Sequence, residues 1–172
     1  MNTVENTRAS RTVERWIESP VGRLQLVARA QGLVGLFFER HRRARSYELC
    51  APRDAPQACA HLDQAQAQLD AYFAGERESF DVALAPEGTE LQRQVWRALG
   101  QIPFAQTRSY AQLAASIGRP RAARAVGSAN ARNPISIIVP CHRVVGADGA
   151  LTGYAGGVEA KQWLLTHESN GS

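Results

Sequence analysis

Cys141 and His142 are adjacent residues whose side chains could act together as a nucleophile and its base. A free thiol has a pKa of about 8.5, so only a few per cent of it is ionised at neutral pH. A cysteine nucleophile therefore needs a base or a positive field beside it. An imidazole adjoins Cys141, and the surrounding segment is basic. A Cys-His dipeptide alone is weak evidence, but in this setting it predicts a reactive thiol.

The other two cysteines carry no comparable signal. Cys50 and Cys59 have no neighbouring base, and we interpret them as packing residues, with His41 and His61 as structural or surface groups. The total of three cysteines is odd, and their wide spacing without a CxxC pair argues against a disulfide framework or a cysteine-rich zinc site. We expect reduced thiols and no bound metal.

An apolar run directly precedes the candidate nucleophile. Residues 135–139 are rich in β-branched side chains, and this composition predicts a buried strand. Pro140 has no backbone N–H and must end any hydrogen-bond ladder. The thiol is therefore expected at the end of a buried strand.

Two capping signatures mark helices upstream of this strand. Thr89 with Gln92 and Ser109 with Gln112 each have the spacing of a capping box, and apolar residues at helical spacing follow both. A break at residues 118–120 precedes a third apolar stripe, made by Ala122, Ala125, Val126 and Ala129. Two short helices around a tight turn are typical of a helix-turn-helix, although an ordinary helical hairpin with a basic face has the same pattern.

The charge of this region is unusually one-sided. Residues 91–147 hold eight arginines and no acidic residue, whereas the rest of the chain holds twelve basic and sixteen acidic residues. A basic face on a near-neutral body favours a polyanionic partner, and a solvated surface without a partner is the alternative. A second basic cluster, residues 40–45, fits a solvated loop and a DNA contact equally well.

The N-terminal half has a different organisation. Residues 13–18, 24–28 and 33–38 predict three short antiparallel strands, and residues 57–73 predict a helix that ends near Gly75. We expect an N-terminal α/β domain over residues 1–75, a linker over 76–88, and a mostly helical domain over 89–172. The fold class is therefore α+β, with a small antiparallel sheet and helix followed by a helix-turn-helix domain.

The block that surrounds the cysteine, IVPCHRVVGADGALTGYAGGVEAKQWLLTHE, resembles the active-site signature of the O6-alkylguanine-DNA alkyltransferases, or methylated-DNA–protein-cysteine methyltransferases. PCHRV with GYAGG downstream is highly specific to that family. The similarity runs from about Thr89 to Glu168 through SYAQLA and RPRAARAVGSA, and it is greatest to the bacterial constitutive type. It implies a ribonuclease H-like N-terminal domain and a winged-helix-like C-terminal domain.

The resemblance implies a catalytic role for five residues. Cys141 would accept the alkyl group, His142 would draw the thiol proton through a water, and Glu168 would orient and stabilise the imidazole. Glu168 is expected as the last residue of the C-terminal helix. Asn133 would fix the turn before the active-site strand, and Tyr110 would hydrogen-bond the departing base. Because a thioether has no good leaving group, each molecule is expected to react once, without a cofactor.

The resemblance also implies a substrate, double-stranded DNA that carries O6-alkylguanine. The target atom is buried in the base stack, so the nucleotide must be flipped out, and Arg124 would occupy the gap while Tyr110 pushes the phosphate. Entry of the second helix into the minor groove suits its small residues. The other predicted DNA contacts are Ala123, Gly127, Ser128 and Arg121, and the predicted lesion pocket consists of Val144, Tyr154, Ala155 and Gly156.

Three other function classes fit part of this pattern. A damage-binding protein of the alkyltransferase-like kind lacks the reactive cysteine that Cys141 supplies. A transcription regulator would explain the helix-turn-helix, but no effector domain is recognisable. A cysteine hydrolase would not need Arg124. The sequence leaves open O6-alkylguanine against O4-alkylthymine, tolerance of bulky alkyl groups and cooperativity on DNA.

The size and composition of the chain bear on its number of domains and on its location in the cell. Its 172 residues, 44% of them hydrophobic, suit one or two compact domains. No apolar run approaches the ~20 residues of a membrane span, and the first residues lack the apolar stretch of a signal peptide. We expect a cytoplasmic protein with no membrane contact, monomeric in solution.

Overall fold

The computed structural model describes residues 11–40 and 46–171. The chain divides into two compact units, Met1–Pro86 and Glu87–Ser172. Most of the basic cluster expected at residues 40–45 lies outside the described residues, which include Arg40 alone of its arginines. In the part of the chain that the model describes, no helix is long and apolar enough to cross a membrane.

The first unit is built on a three-stranded antiparallel sheet. Its strands are β1 (Val13–Ile17), β2 (Leu24–Arg29) and β3 (Gly32–Phe38), in the order β1-β2-β3. This is the predicted meander. All seven residues of β3 are buried, whereas β1 is less buried and exposes 38% of Trp16. The N-terminal part of the predicted α+β fold is thereby confirmed.

Helix α1 (Pro56–Phe73) packs against this sheet and closes its core. Leu62, Ala65 and Leu69 recur at helical spacing and are at most 2% exposed. On the helix surface, Arg15 of β1 donates hydrogen bonds to Asp63 and Gln66. Because isolated helices are marginal in water, burial of this apolar stripe supplies most of the stability of α1.

The segment after α1 pairs with the sheet. The N–H of Leu33 donates to the carbonyl of Ala83 at 2.9 Å, and the N–H of Ala85 donates to the carbonyl of Leu33 at 2.7 Å. Gly32 has a φ of +142°, and any side chain there would collide with the backbone of Ala83. Part of the segment expected as a linker thus runs along β3.

Up to residue 171, where the described part of the second unit ends, its α-helices are α2 (Glu90–Leu99), α3 (Tyr110–Ser116), α4 (Ala123–Ala131) and α5 (Val158–Asn170). The capping boxes of α2 and α3 are formed as predicted, with Thr89 accepting from Gln92 N and Ser109 accepting from Gln112 N. Each box satisfies two backbone N–H groups that a helix start leaves without intrahelical partners.

Helices α3 and α4 form a helix-turn-helix that packs on α2. Val126 and Ala129 of α4 are buried, and the Trp96 indole N–H of α2 donates to the Ala129 carbonyl at 3.0 Å. Ala125, expected on the buried stripe, is exposed, and Asn130 is buried. The buried side, made by Val126, Ala129 and Asn130, is therefore rotated from the predicted one.

The predicted strand over residues 135–139 is wrong. Residues 136–139 form consecutive tight turns, with Ile137 at a φ of +70° and the N–H of Val139 bonded to the carbonyl of Ile135. Every residue of this stretch is at most 8% exposed. The β-branched run therefore reflects burial in a core of short turns, and composition alone does not distinguish that from an extended strand.

Two short elements and α5 complete the surroundings of the cysteine. Cys141–Arg143 form a 3-10 turn that leads into β5 (Val144–Val145), which pairs in parallel with β4 (Arg108–Ser109). Helix α5 packs on the 3-10 turn. It ends at Asn170, so Glu168 lies inside the last turn and is not the last residue as expected.

The capping box of α2 gives a test of this architecture. Thr89→Ala removes the hydroxyl that accepts from Gln92 N and should lower the free energy of unfolding by about 1 kcal/mol. Thr89→Ser keeps the hydroxyl acceptor, so its free energy of unfolding should stay within a few tenths of a kcal/mol of the wild-type value. Urea denaturation of the three proteins measures both values, and equal losses in the two variants would contradict the capping role.

Candidate active site

Asn133 organises the backbone that leads to the cysteine. It is 3% exposed. Its side-chain oxygen accepts from the Ile135 N–H at 3.0 Å, and its Nδ2 donates to the Val139 carbonyl at 2.8 Å. These bonds satisfy buried backbone groups that the tight turns leave without a ladder partner. Asn133 was expected to fix the turn before an active-site strand, but the segment that it bonds is a series of turns and not a strand.

The Cys141 thiol lies at the start of the 3-10 turn and is 4% exposed. Its Sγ accepts a hydrogen bond from Asn133 Nδ2 at 3.1 Å. Burial raises the pKa of the Cys141 thiol, while the Asn133 hydrogen bond and the positive charge of Lys161 oppose that rise. The resting group is therefore a protonated thiol, and it needs a base at the moment of reaction.

His142 and Glu168 form a buried pair beside the thiol. Nε2 of His142 lies 2.7 Å from Oε1 of Glu168, and both side chains are at most 1% exposed. Burial alone would raise the pKa of Glu168, but the hydrogen bonds and charges of His142 and Arg143 outweigh it and lower the pKa to about 2. The carboxylate is ionised at neutral pH and can only accept hydrogen bonds.

This pairing fixes the tautomer of the imidazole. Because Glu168 only accepts, Nε2 of His142 carries the proton that it donates. Burial lowers the pKa of His142 more than the neighbouring carboxylate raises it, so the ring is neutral. Nδ1 then holds a lone pair, and it has no hydrogen-bond partner among the described residues. Nδ1 is the atom that can take a proton.

Arg143 is a site residue that sequence reasoning missed. Its Nε and Nη2 donate to the two oxygens of Glu168 at 2.9 and 3.0 Å, and its Nη1 donates to the Ile102 carbonyl at 2.6 Å. The guanidinium is thus a buried anchor and not part of a basic surface. Its position next to Cys141 and His142 could have marked it as a site residue, but its partner Glu168 lies far away in the sequence.

Lys161 was also missed. It is fully buried on α5, and its ammonium donates to the carbonyls of Val144 at 2.6 Å and Thr152 at 3.2 Å. A lysine in a helix at the surface ordinarily faces solvent, so no local pattern indicated its burial. Burial lowers the pKa of Lys161.

The residues expected to line a pocket follow the catalytic turn. Val144 is buried, and Tyr154, Ala155 and Gly156 are half-buried in the loop that precedes α5. The rings of Tyr154 and His142 meet edge to face with centroids 6.4 Å apart. The Tyr154 ring is thus a neighbour of the His142 imidazole.

Tyr110 connects this loop to the helix-turn-helix. Its hydroxyl lies 2.8 Å from the Thr152 hydroxyl, and its ring lies against Gly127 of α4, where a Cβ would be in ordinary contact with the ring. Tyr110 therefore touches both the pocket loop and the second helix of the helix-turn-helix.

The residues expected to contact DNA lie along α4 and just before it. Arg121, Arg124 and Ser128 are exposed, whereas Ala123 and Gly127 are half-buried. Arg124 is the second residue of α4. The described residues hold no group of three His, Cys, Asp or Glu side chains that could bind a metal ion.

Two family models match this chain, one over each unit. The ribonuclease-like domain of 6-O-methylguanine DNA methyltransferase matches residues 12–86, and the DNA-binding domain of the same family matches residues 90–170. A methylated-DNA–protein-cysteine methyltransferase from Methanosarcina barkeri is 50% identical over 154 residues, which cover 90% of this chain and 95% of the relative.

A protein of the same name from Mycobacterium tuberculosis (strain H37Rv) is 48% identical over 156 residues, covering 91% of this chain and 92% of the relative. Among solved structures, Mycobacterium tuberculosis OGT in complex with DNA is similar to this chain with a TM-score of 0.83 and 46% identity. That match covers 92% of this chain and 94% of the other. The similarity to both proteins thus extends over nearly the whole chain.

The buried carboxylate predicts a specific acid sensitivity. The pKa of Glu168 is lowered from 4.5 to about 2, so its contribution to stability is complete above about pH 4.5 and is lost as the pH falls toward 2. Glu168→Gln cannot titrate and should flatten the pH dependence of the unfolding free energy there by up to about 1.4 kcal/mol per pH unit.

The exposed Glu159 on the same helix provides the matched control. Glu159→Gln should leave the slope below pH 4.5 as in wild type, whereas parallel curves for wild type and Glu168→Gln would contradict the low pKa. Denaturant titrations at several pH values measure these slopes.

Proposed function

This chain belongs to the methylated-DNA–protein-cysteine methyltransferases, a family of DNA-repair enzymes, and we propose that it moves the alkyl group of O6-alkylguanine irreversibly onto Cys141. The membership predicted from PCHRV and GYAGG is confirmed. One observation carries the proposed mechanism. A buried thiol adjoins a neutral imidazole whose Nε2 is held by Glu168 and whose Nδ1 is available as a base.

The proposed reaction is a single nucleophilic displacement. His142 Nδ1 draws the proton of the Cys141 thiol through a water, and the thiolate attacks the carbon attached to O6. The S–C bond forms as the O6–C bond breaks, the electron pair of the broken bond stays on the base, and a proton returns to that base. Cys141 ends as a thioether and the guanine is restored.

The chemistry of sulfur makes this reaction stoichiometric. A thioether has no good leaving group, so the alkylated Cys141 does not return to a thiol. We therefore propose one reaction per molecule, with no cofactor. Conversion also replaces a hydrogen-bonded buried thiol by a larger group beside Asn133, so it should loosen the packing of this turn.

We propose that the base reaches Cys141 by flipping out of the duplex through the minor groove. The exposed Arg124 occupies the gap, and Arg121, Ala123, Gly127 and Ser128 lie along the DNA backbone. The small residues on this helix support a close approach. Tyr110, which contacts Gly127, pushes the phosphate and donates a hydrogen bond to the departing base.

The proposed lesion pocket uses mainly backbone groups. The Val144 carbonyl accepts from the exocyclic amine, the Ala155 N–H donates to O6, and Tyr154 packs on the base, with Gly156 allowing close approach. Because the Ala155 donor would serve any alkylated exocyclic oxygen, we propose O4-alkylthymine as a second substrate. We further propose a monomer that acts in the cytoplasm, where thiols stay reduced.

The first test is the mass of the intact protein after incubation with an oligonucleotide that contains O6-methylguanine. We expect a gain of one methyl group per molecule, located on Cys141 by peptide mapping, with no further turnover. Cys141→Ser should gain nothing, whereas Cys59→Ser, which removes a half-buried cysteine of the first unit, should react fully. Binding without any mass gain would refute alkyl transfer and favour a damage-binding protein.

The second test separates base flipping from chemistry. Arg124→Ala should slow repair of duplex DNA by about tenfold or more, because unstacking costs a few kcal/mol, and should leave reaction with the free base O6-benzylguanine nearly unchanged. Arg53→Ala removes the same charge from an exposed position in the first unit and serves as control. Equal losses of Arg124→Ala on both substrates would count against the flipping role.

A further inference from the structure

Lys161 is a buried cation that the proposed reaction does not use. Its side chain is fully buried, and its ammonium donates to two backbone carbonyls, those of Val144 and Thr152. No carboxylate among residues 11–40 and 46–171 forms an ion pair with it. The positive charge is therefore solvated by neutral dipoles alone.

Such an arrangement is costly for a fold. Burial of a charge without a paired counter-charge is strongly unfavourable, and a methionine or leucine of similar volume would fill the same space at lower cost. A lysine at this position therefore points to a task that an apolar side chain cannot perform.

The two carbonyls belong to the two segments that must meet in the reaction. Val144 directly follows the 3-10 turn that carries Cys141. Thr152 lies in the loop that carries Tyr154 and Ala155, and its hydroxyl is 2.8 Å from the Tyr110 hydroxyl. One ammonium group thus joins the nucleophile to the wall of the proposed lesion pocket.

We propose that Lys161 is a positioning residue for alkyl transfer, which clamps the pocket loop to the catalytic turn and supplies the counter-charge of the Cys141 thiolate. The two roles coincide in time, because the thiolate forms while the alkylated guanine lies against the loop that Lys161 holds in place. The inference rests on the proposed function for its substrate and on the geometry of Lys161 for its mechanism.

The other cationic groups near the thiol are both paired with Glu168. Arg143 donates two hydrogen bonds to its carboxylate, and the imidazole of His142 is neutral at rest and, once it takes the thiol proton, shares its new charge with the same carboxylate. Burial raises the pKa of the thiol, and the Asn133 hydrogen bond and the charge of Lys161 act against that rise. Removal of the ammonium should therefore make the thiol harder to ionise.

Three variants on α5 separate these roles. Lys161→Met keeps the length of the side chain and removes both the charge and the donors. Lys161→Gln keeps a donor without the charge, and it also serves if the methionine variant does not fold. Gln162→Met changes the neighbouring exposed residue and is the matched control.

Two reaction rates and the melting temperature are measured for each protein. The first rate is single-turnover transfer from an O6-methylguanine oligonucleotide. The second is reaction of Cys141 with iodoacetamide between about pH 7 and pH 11, followed by peptide mapping, which gives the midpoint of thiol ionisation without DNA. Thermal melting reports the purely structural contribution.

We expect both Lys161 variants to raise the ionisation midpoint by about one pH unit and to slow transfer at pH 7.5 by about tenfold or more. Transfer by Lys161→Met should be slower than by Lys161→Gln, because it also loses the clamp. Gln162→Met should match wild type. An unchanged midpoint in both Lys161 variants, whatever happens to their melting temperature, overturns the inference. Failure of wild-type transfer instead refutes the proposed function, since the iodoacetamide titration does not depend on it.

Discussion

The buried carboxylate of Glu168 is the constraint on which the catalytic unit depends. An ionised carboxylate in a protein interior is stable only if donors surround it, and here His142, Arg143 and the Ala105 N–H supply them. These donors come from the loop after α2 and from the 3-10 turn, while the acceptor comes from α5. Satisfying one charge therefore fixes three distant segments and, with them, the tautomer of the imidazole.

The nucleophile itself lies on irregular backbone held by a side chain. Asn133 bonds the turn residues Ile135 and Val139 and the sulfur of Cys141, so one amide sets both the path of the chain and the environment of the thiol. Because Asn133 lies two residues after the end of α4, only a short connection separates the helix expected to meet DNA from the residue that bonds the Cys141 sulfur.

The arginines of the basic segment serve two physical purposes. Arg121 and Arg124 are exposed and available to a polyanion, whereas Arg143 is 6% exposed and neutralised by Glu168. Charge counted along the sequence therefore overstates the basic surface. The buried charges, Arg143 and Lys161, act at short range on the site, where exclusion of water strengthens electrostatic interactions.

The sequence by itself determined most of the elements and singled out Cys141 as the candidate nucleophile. Short strand-like runs between turn sequences predicted the three-stranded meander, capping boxes predicted the starts of α2 and α3, and PCHRV pointed to Cys141, because these signals are local. It mistook residues 135–139 for a strand, since apolar composition reports burial and not conformation. Only the tertiary structure decided the roles of Arg143 and Lys161. Their partners are Glu168, Val144 and Thr152, and pairing across the fold is set by packing that no local pattern encodes.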